Sequence, residues 1–432
     1  MTCEVLVMNR LGLVLAADSA ITFTSKDDAG VKTSFSAGAN KIFQLSNHEP
    51  VGVMIFNNAG LQNIPWEIII KSFRVHLGEN KYDTMEEYAT ALHDFIVANK
   101  SLFPDEHKDS HVKKLAFNSF IFLLNISRNF ASDLDDPNKT STHQDEWNKF
   151  KTFISQELPK IQLTNHFTEA QLEKTKKEYM DWLAQIIGDY LSNTDSLRHL
   201  KNVIDAKELA NYSIEALYKL YLTIFDNSYT GIVIAGYGKD ACFPSYAEVK
   251  YFGFIDEVLI TENGKDAVID HNEIDSAIEA FAQQAMVETF VNGFSPAVWS
   301  VVEDKSKELT QKISDELIKN GGAILPADWD KTVKKINAEF TKDWSDSVLQ
   351  EHYLPLRRII GGLAIEEMSE LAETLVMLES LKEKVTSRTQ SVGGPIDVAV
   401  ITKAEGLVWI KRKLFFDPEI NQRYFLRQQK NH

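Results

Sequence analysis

Thr2 carries a hydroxyl and, once Met1 is removed, a free α-amine, so nucleophile and base would occupy one residue. A hydroxyl attacks only after a base takes its proton, and an amine with an unperturbed pKa of about 7.7–8.0 suits that transfer. A chain that keeps Met1 has no such amine. Lys41 would hold the amine neutral through like-charge repulsion, and Asp18 would keep that lysine charged and oriented.

These residues need elements that bring them together. Val5 and Val7 alternate with less apolar neighbours, and a second apolar run covers Leu13 to Ala17 across Arg10-Leu11-Gly12. This spacing predicts a β-hairpin with Gly in the turn, which places residue 2 near Asp18. Residues 31–40 read as a Ser/Gly/Ala-rich loop. Residues 41–45 and 51–57 read as the next two strands. Beyond Gly60, the spacing of Ile64, Ile68, Ile69 and Phe73 predicts a helix from near Asn63, and a second helix spans 85–99.

The blocks T-C-E-V (2–5), L-V-L-A-A-D-S-A (13–20), N-K-I-F-Q-L (40–45) and V-G-V-M-I-F-N-N-A-G-L-Q-N (51–63) together resemble the front of a proteasome β-type subunit, a threonine-dependent N-terminal nucleophile (Ntn) hydrolase. The resemblance covers roughly the first 75 residues, with short stretches near 231–238 and 391–413. It implies that Thr2 is the nucleophile, Asp18 and Lys41 its charge-tuning pair, and Gly60 the backbone donor of the oxyanion hole. A donor at a helix N-terminus would also be aimed at developing negative charge. The implied fold is α+β, a four-layer αββα Ntn sandwich with two long helical insertions or extensions. The implied substrate is a peptide or other amide, no cofactor or metal is expected, and relatives of this kind work as homo-oligomeric rings or stacks.

Two positions depart from the family pattern. Gly236-Tyr237-Gly238 stands where the family has G-S-G, and Thr389, Gln390, Ser391 and Val392, none of them acidic, precede the closing Gly393-Gly394. The supporting polar network is therefore altered, with Ser19, Tyr237 and Ser391 as candidates for it. These departures favour a second reading, an inactive Ntn-fold assembly or interaction protein that binds a partner through its helical tracts.

The rest of the chain supports this layout. Residues 1–104 form the first part of the core, 105–225 a helical insertion, 226–270 core strands, 271–390 a helical extension, and 391–432 a closing hairpin and tail. Residues 116–126 fit either strand or helix. Ile278, Phe281, Ala282, Ala285 and Phe290 read as one helical stripe.

Other motifs carry blander readings. Gly236-Tyr237-Gly238-Lys239-Asp240-Ala241 formally matches a dinucleotide fingerprint, but Pro244 and a strand-like run follow where that motif needs a helix. The aspartates of 133–136 read as a solvated turn, because Pro137 occupies a calcium-ligand position. His107 and His111 lack a third ligand and read as surface residues. Cys3 should face away from Thr2, into a core.

Composition narrows the classes further. With 432 residues, length alone suggests two or three domains, or one domain with insertions. A formal net charge of −16 argues against a nucleic-acid partner. Two cysteines, Cys3 and Cys242, provide no disulfide framework, as expected in a reducing cytoplasm. The apolar stretch at 11–17 is too short for a secretory leader, and no run reaches the length of a membrane span.

Overall fold

The computed structural model describes residues 2–27, 30–36, 38–272, 274–321, 326, 328–386, 393–414, 416–423 and 426. Strands β1 (Cys3–Asn9) and β2 (Gly12–Ala17) form an antiparallel hairpin in which Glu4 faces Ala17 and Asn9 faces Gly12. Its turn is fixed by Asn9, whose Oδ1 accepts from Leu11 N at 2.8 Å and whose Nδ2 donates to Ile360 O and Leu363 O at 3.0 Å. Strands β3 (Ile21–Asp27) and β4 (Gly30–Ser36) pair with each other, so much of the loop expected over 31–40 is a strand.

Next come β5 (Ile42–Gln44), β6 (Val51–Asn57) and two short bridges, β7 (Gly60–Leu61) and β8 (Ile64–Pro65). Helices α1 (Trp66–Leu77) and α2 (Met85–Ala98) follow. The first helix does not begin near Asn63: that residue has φ 69° and Gln62 has φ 49°, left-handed values that an α-helix cannot contain.

A helical tract comprises α3 (Asp105–Phe130), α4 (Thr140–Glu157), α5 (Glu169–Asn193), α6 (Ala206–Lys219) and α7 (Tyr221–Ile224). Residues 116–126 are helical, because Val112, Leu115, Ala116, Phe120, Leu123 and Leu124 bury one face at steps of three and four. This face shares a core with Leu183, Ile187, Leu209 and Leu217. Phe252, Ile255 and Ile260 belong to the same core and anchor the tract to strands that lie further along the chain. In the acidic turn at 133–136, Asp133 pairs with Lys139 and Asp135 with Arg128.

Strands β9 (Thr230–Gly236), β10 (Ser245–Ile255), β11 (Val258–Val268) and β12 (Ser276–Ala282) precede helices α8 (Ala285–Asn292), α9 (Pro296–Gly321), α10 (Trp329–Val348), α11 (Leu354–Gly361) and α12 (Ile365–Thr386). Strands β13 (Asp397–Thr402) and β14 (Gly406–Lys411) form the closing hairpin. The helical tract expected from residue 271 begins only at α8, because residues 276–282 form β12. Ile278 and Ala280 face one way and Phe281 the other, a period of two, and β12 closes the free edge of β1 from Cys3↔Ala282 to Asn9↔Ser276.

The architecture is α+β, with two five-stranded antiparallel sheets ordered β12-β1-β2-β13-β14 and β11-β10-β9-β6-β5. Leu6, Met8, Leu13 and Leu15 of the first sheet share a core with Met54, Phe56, Val233 and Ala235 of the second, so the sheets pack face to face. On the other face of the first sheet, Val5, Val7, Val14 and Ala16 meet Met368, Ala372 and Leu375 of α12. On the other face of the second, Val53, Ile55, Ile232 and Ile234 meet Ile69, Phe73, Tyr88 and Leu92 of α1 and α2. Burial on both faces explains why these strands read as nearly continuous apolar runs. Among the described residues, no helix is long and apolar enough to cross a membrane.

Candidate active site

Thr2 stands at the open end of the β1–β2 hairpin, where its carbonyl accepts from Gln283 N at 2.9 Å. Side chains alternate along β1. Leu6 and Met8 point into the layer between the sheets, so Glu4 and Thr2 share that face and a polar cluster closes the end of an apolar layer. Cys3 takes the opposite face among Val5, Val7 and Met368, and its burial pushes the thiol well above its usual pKa. That environment suits packing better than nucleophilic attack.

Asp18 follows β2 and clamps the hairpin. Its N donates to Cys3 O at 3.2 Å, while Oδ1 accepts from Cys3 N at 3.1 Å. Oδ2 accepts from Ala20 N at 3.2 Å and from Gly393 N at 2.8 Å, which ties the closing Gly-Gly to the same carboxylate. Lys41 comes from the second sheet, its carbonyl held by Ile55 N at 2.8 Å, and its Nζ donates to Asp18 Oδ1 at 2.5 Å.

Glu4, which is not among the site residues expected from the sequence, completes the cluster. Its Oε1 lies 3.1 Å from Lys41 Nζ as an ion pair, and its Oε2 accepts from Thr2 Oγ1 at 3.1 Å. Thr2, Glu4, Asp18 and Lys41 are all at most 5% exposed. Burial raises the Glu4 carboxyl from 4.5 to about 7 despite the opposing pull of Lys41. The available signal was a charged residue two positions beyond Thr2 on an otherwise apolar alternating strand, hence on the same face. With two carboxylates around one ammonium, the cluster is more negative than Asp18 and Lys41 alone would make it. A freed Thr2 amine would feel both signs rather than repulsion alone.

The other expected site residues are placed differently. Ser19 Oγ donates to Pro395 O at 2.5 Å and Ser19 N to Gly393 O at 3.2 Å, so it fastens β2 to the 393–395 segment. Tyr237 does not join the cluster: its hydroxyl donates to Leu11 O at 3.4 Å, at the hairpin turn. At the usual strand rise, that end of β1 is roughly 20 Å from Thr2. Ser391 and Thr389 lie outside the described residues.

Gly236 and Gly238 are explained by close backbone approach, since a Cβ would come 2.1 Å from Pro50 O at the first and 1.8 Å from Asp83 O at the second. No helix of the kind a dinucleotide site needs follows them, for β10 comes next.

Gly60 is not at a helix start. It bridges Pro65 in the β7–β8 pair, and its carbonyl accepts from Thr230 Oγ1 at 3.4 Å. The segment around it is tightly wound, with Asn57, Gln62 and Asn63 all at positive φ, and Asn57 Nδ2 donates to Tyr229 O at 2.8 Å. Gly60 borders a cleft of about 940 Å³ whose far wall belongs to α3 and includes His107 and His111. His107 is exposed, but His111 is half-buried rather than a surface residue, and burial takes its imidazole down to about 4, with Lys114 a lesser contributor.

Comparison with family models and with curated proteins finds no match for the chain.

Proposed function

We propose that the chain is a threonine-type Ntn hydrolase of the proteasome β kind, built on the four-layer αββα sandwich, that cleaves a peptide or other amide through an acyl-enzyme. The observation that carries this reading is the buried Thr2–Glu4–Lys41–Asp18 chain of polar contacts at the end of the inter-sheet core. Buried charge is expensive to keep. A cluster of this kind beside a hydroxyl is better accounted for by reaction than by stability.

In the proposed reaction, Met1 has been removed and Thr2 Oγ attacks the substrate carbonyl carbon. The hydroxyl proton passes to the Thr2 amine, with Glu4 as a second acceptor already hydrogen-bonded to the hydroxyl. Gly60 N–H would stabilise the oxyanion from a β-bridge, without a helix dipole behind it. Collapse of the tetrahedral species breaks the C–N bond as the held proton moves to the leaving amine. Water then attacks the Thr2 ester, its proton taken by the same base and passed to Thr2 Oγ as the acyl C–O bond breaks and the acid is released. Asp18 and Lys41 orient and balance charge without meeting substrate.

Intact-mass analysis of the protein from its native host tests the first requirement. Loss of Met1 supports the mechanism, and full retention sinks the amine-base version and favours the non-catalytic reading. Labelling with a peptide epoxyketone tests the nucleophile: the adduct should form on Thr2 and vanish in Thr2→Ala. Equal labelling of that variant would refute Thr2 as nucleophile.

A further inference from the structure

The helical tract builds one wall of the cleft beside Gly60, and the chemistry of that wall suggests what the cleft receives. Among the described residues, none of those lining it is acidic, although the chain carries 62 Asp and Glu against 46 Lys and Arg. Three of them, His107, His111 and Lys114, are basic and lie along α3. Opposite is the wound segment with Gln62.

Three buried polar atoms of residues lining this cleft, His111 Nε2, Gln62 Oε1 and Tyr251 Oη, have no hydrogen-bond partner among the described residues. The side chains of His111 and Gln62 both flank Gly253. A Cβ on Gly253 would lie 3.3 Å from His111 Nε2 and 3.4 Å from Gln62 Cγ, and the positive φ of 118° there favours glycine. An unpaired buried polar atom is costly, so a ligand supplying both an acceptor and a donor would recover that cost. Apolar walls from Leu115, Tyr221 and Phe225 would strengthen the charge interaction by excluding water.

We propose that this cleft binds an acidic peptide, with its side-chain carboxylate received by Lys114 and His111 Nε2 and a backbone N–H donated to Gln62 Oε1. Its role as the substrate's binding site rests on the hydrolase reading, whereas the binding itself does not.

The test separates the two. Thr2→Ala protein, which cannot form the acyl-enzyme, is titrated calorimetrically with an acetylated tetrapeptide amide containing two glutamates and with its two-glutamine counterpart. The acidic peptide should bind at least tenfold tighter. Adding Lys114→Glu, a reversal at an exposed position, should abolish that preference, and His111→Ala should weaken the acidic peptide alone. Equal affinities for the two peptides, or a preference untouched by Lys114→Glu, would overturn the site. Binding of the acidic peptide by Thr2→Ala with no epoxyketone adduct on wild-type Thr2 would leave the site standing and the hydrolase reading lost. Adduct formation without any acid preference would do the reverse.

Discussion

Glu4 Oε2 accepts a hydrogen bond from Thr2 Oγ1 at 3.1 Å, so the hydroxyl proposed as nucleophile already points its proton at a buried carboxylate. The other oxygen of that carboxylate faces Lys41, which also binds Asp18. A carboxyl group with no exposed surface is held beside the hydroxyl proposed as nucleophile, and its protonation state bears on stability.

Glu4 should impose a pH dependence on folding. Its carboxyl is raised from 4.5 to about 7 in the folded chain, chiefly by burial, so between those values the folded state binds more protons than the unfolded one. Its contribution is therefore most favourable below pH 4.5 and is lost as pH rises through about 7, by roughly 3 kcal/mol. Glu4→Gln should flatten this slope and exceed wild-type stability at pH 8. Urea unfolding between pH 4.5 and 8 reads the effect, and an unchanged slope would remove Glu4 as the titrating group.

Lys41 is the cation between two buried carboxylates. Lys41→Met should destabilise the fold by about 3–5 kcal/mol, because removing one partner leaves charge uncompensated in a low-dielectric site. Combining it with Glu4→Gln should recover part of that loss. A double-mutant cycle on denaturant midpoints measures the coupling, and strictly additive losses would contradict the contact.

Asp18 holds the backbone of three separate segments through Cys3 N, Ala20 N and Gly393 N. Asp18→Ala should accelerate amide exchange at those positions by about tenfold or more, since a hydrogen bond to a charged group is worth about 1.5–3 kcal/mol. Asp18→Asn should keep part of the protection while losing the ion pair with Lys41. Site-resolved hydrogen exchange distinguishes the two. Uniform exchange changes across the fold would show a global rather than a local role.

Gly238 tests the alternative view of the Gly-Tyr-Gly segment. Gly238→Ala should cost about 1–3 kcal/mol, because the new Cβ would meet Asp83 O at 1.8 Å and a backbone must move. Lys239→Ala, on the exposed neighbour, should be near neutral. Thermal unfolding of the pair checks the contrast, and equal melting temperatures would refute the close-approach argument.

Much of the framework was legible locally. The alternation of Val5 and Val7, the run at 13–17 and the intervening Gly12 predict the first hairpin, and the structure pairs Glu4 with Ala17 and Asn9 with Gly12 as that pattern requires. The hairpin puts Asp18 beside Cys3 because both sit at its open end, and the helical spacing in 105–225 likewise announces a helical core. These features depend on neighbours along the chain, which sequence periodicity reports directly.

Tertiary pairing decided the rest. Residues 276–282 satisfy helical spacing in isolation, yet the free edge of β1 recruits them as a strand. Left-handed Gln62 and Asn63 delay the helix that would have begun at the expected oxyanion donor, and Tyr237 falls at the far end of the hairpin because β9 runs antiparallel beside β6. Glu4 was visible as a letter, but its role depends on Lys41 arriving from the other sheet and on the removal of water from both. Sequence alone fixes which groups a chain possesses and which face of a strand each shares. Only packing brings a second charge within 3.1 Å and sets the dielectric in which the two interact.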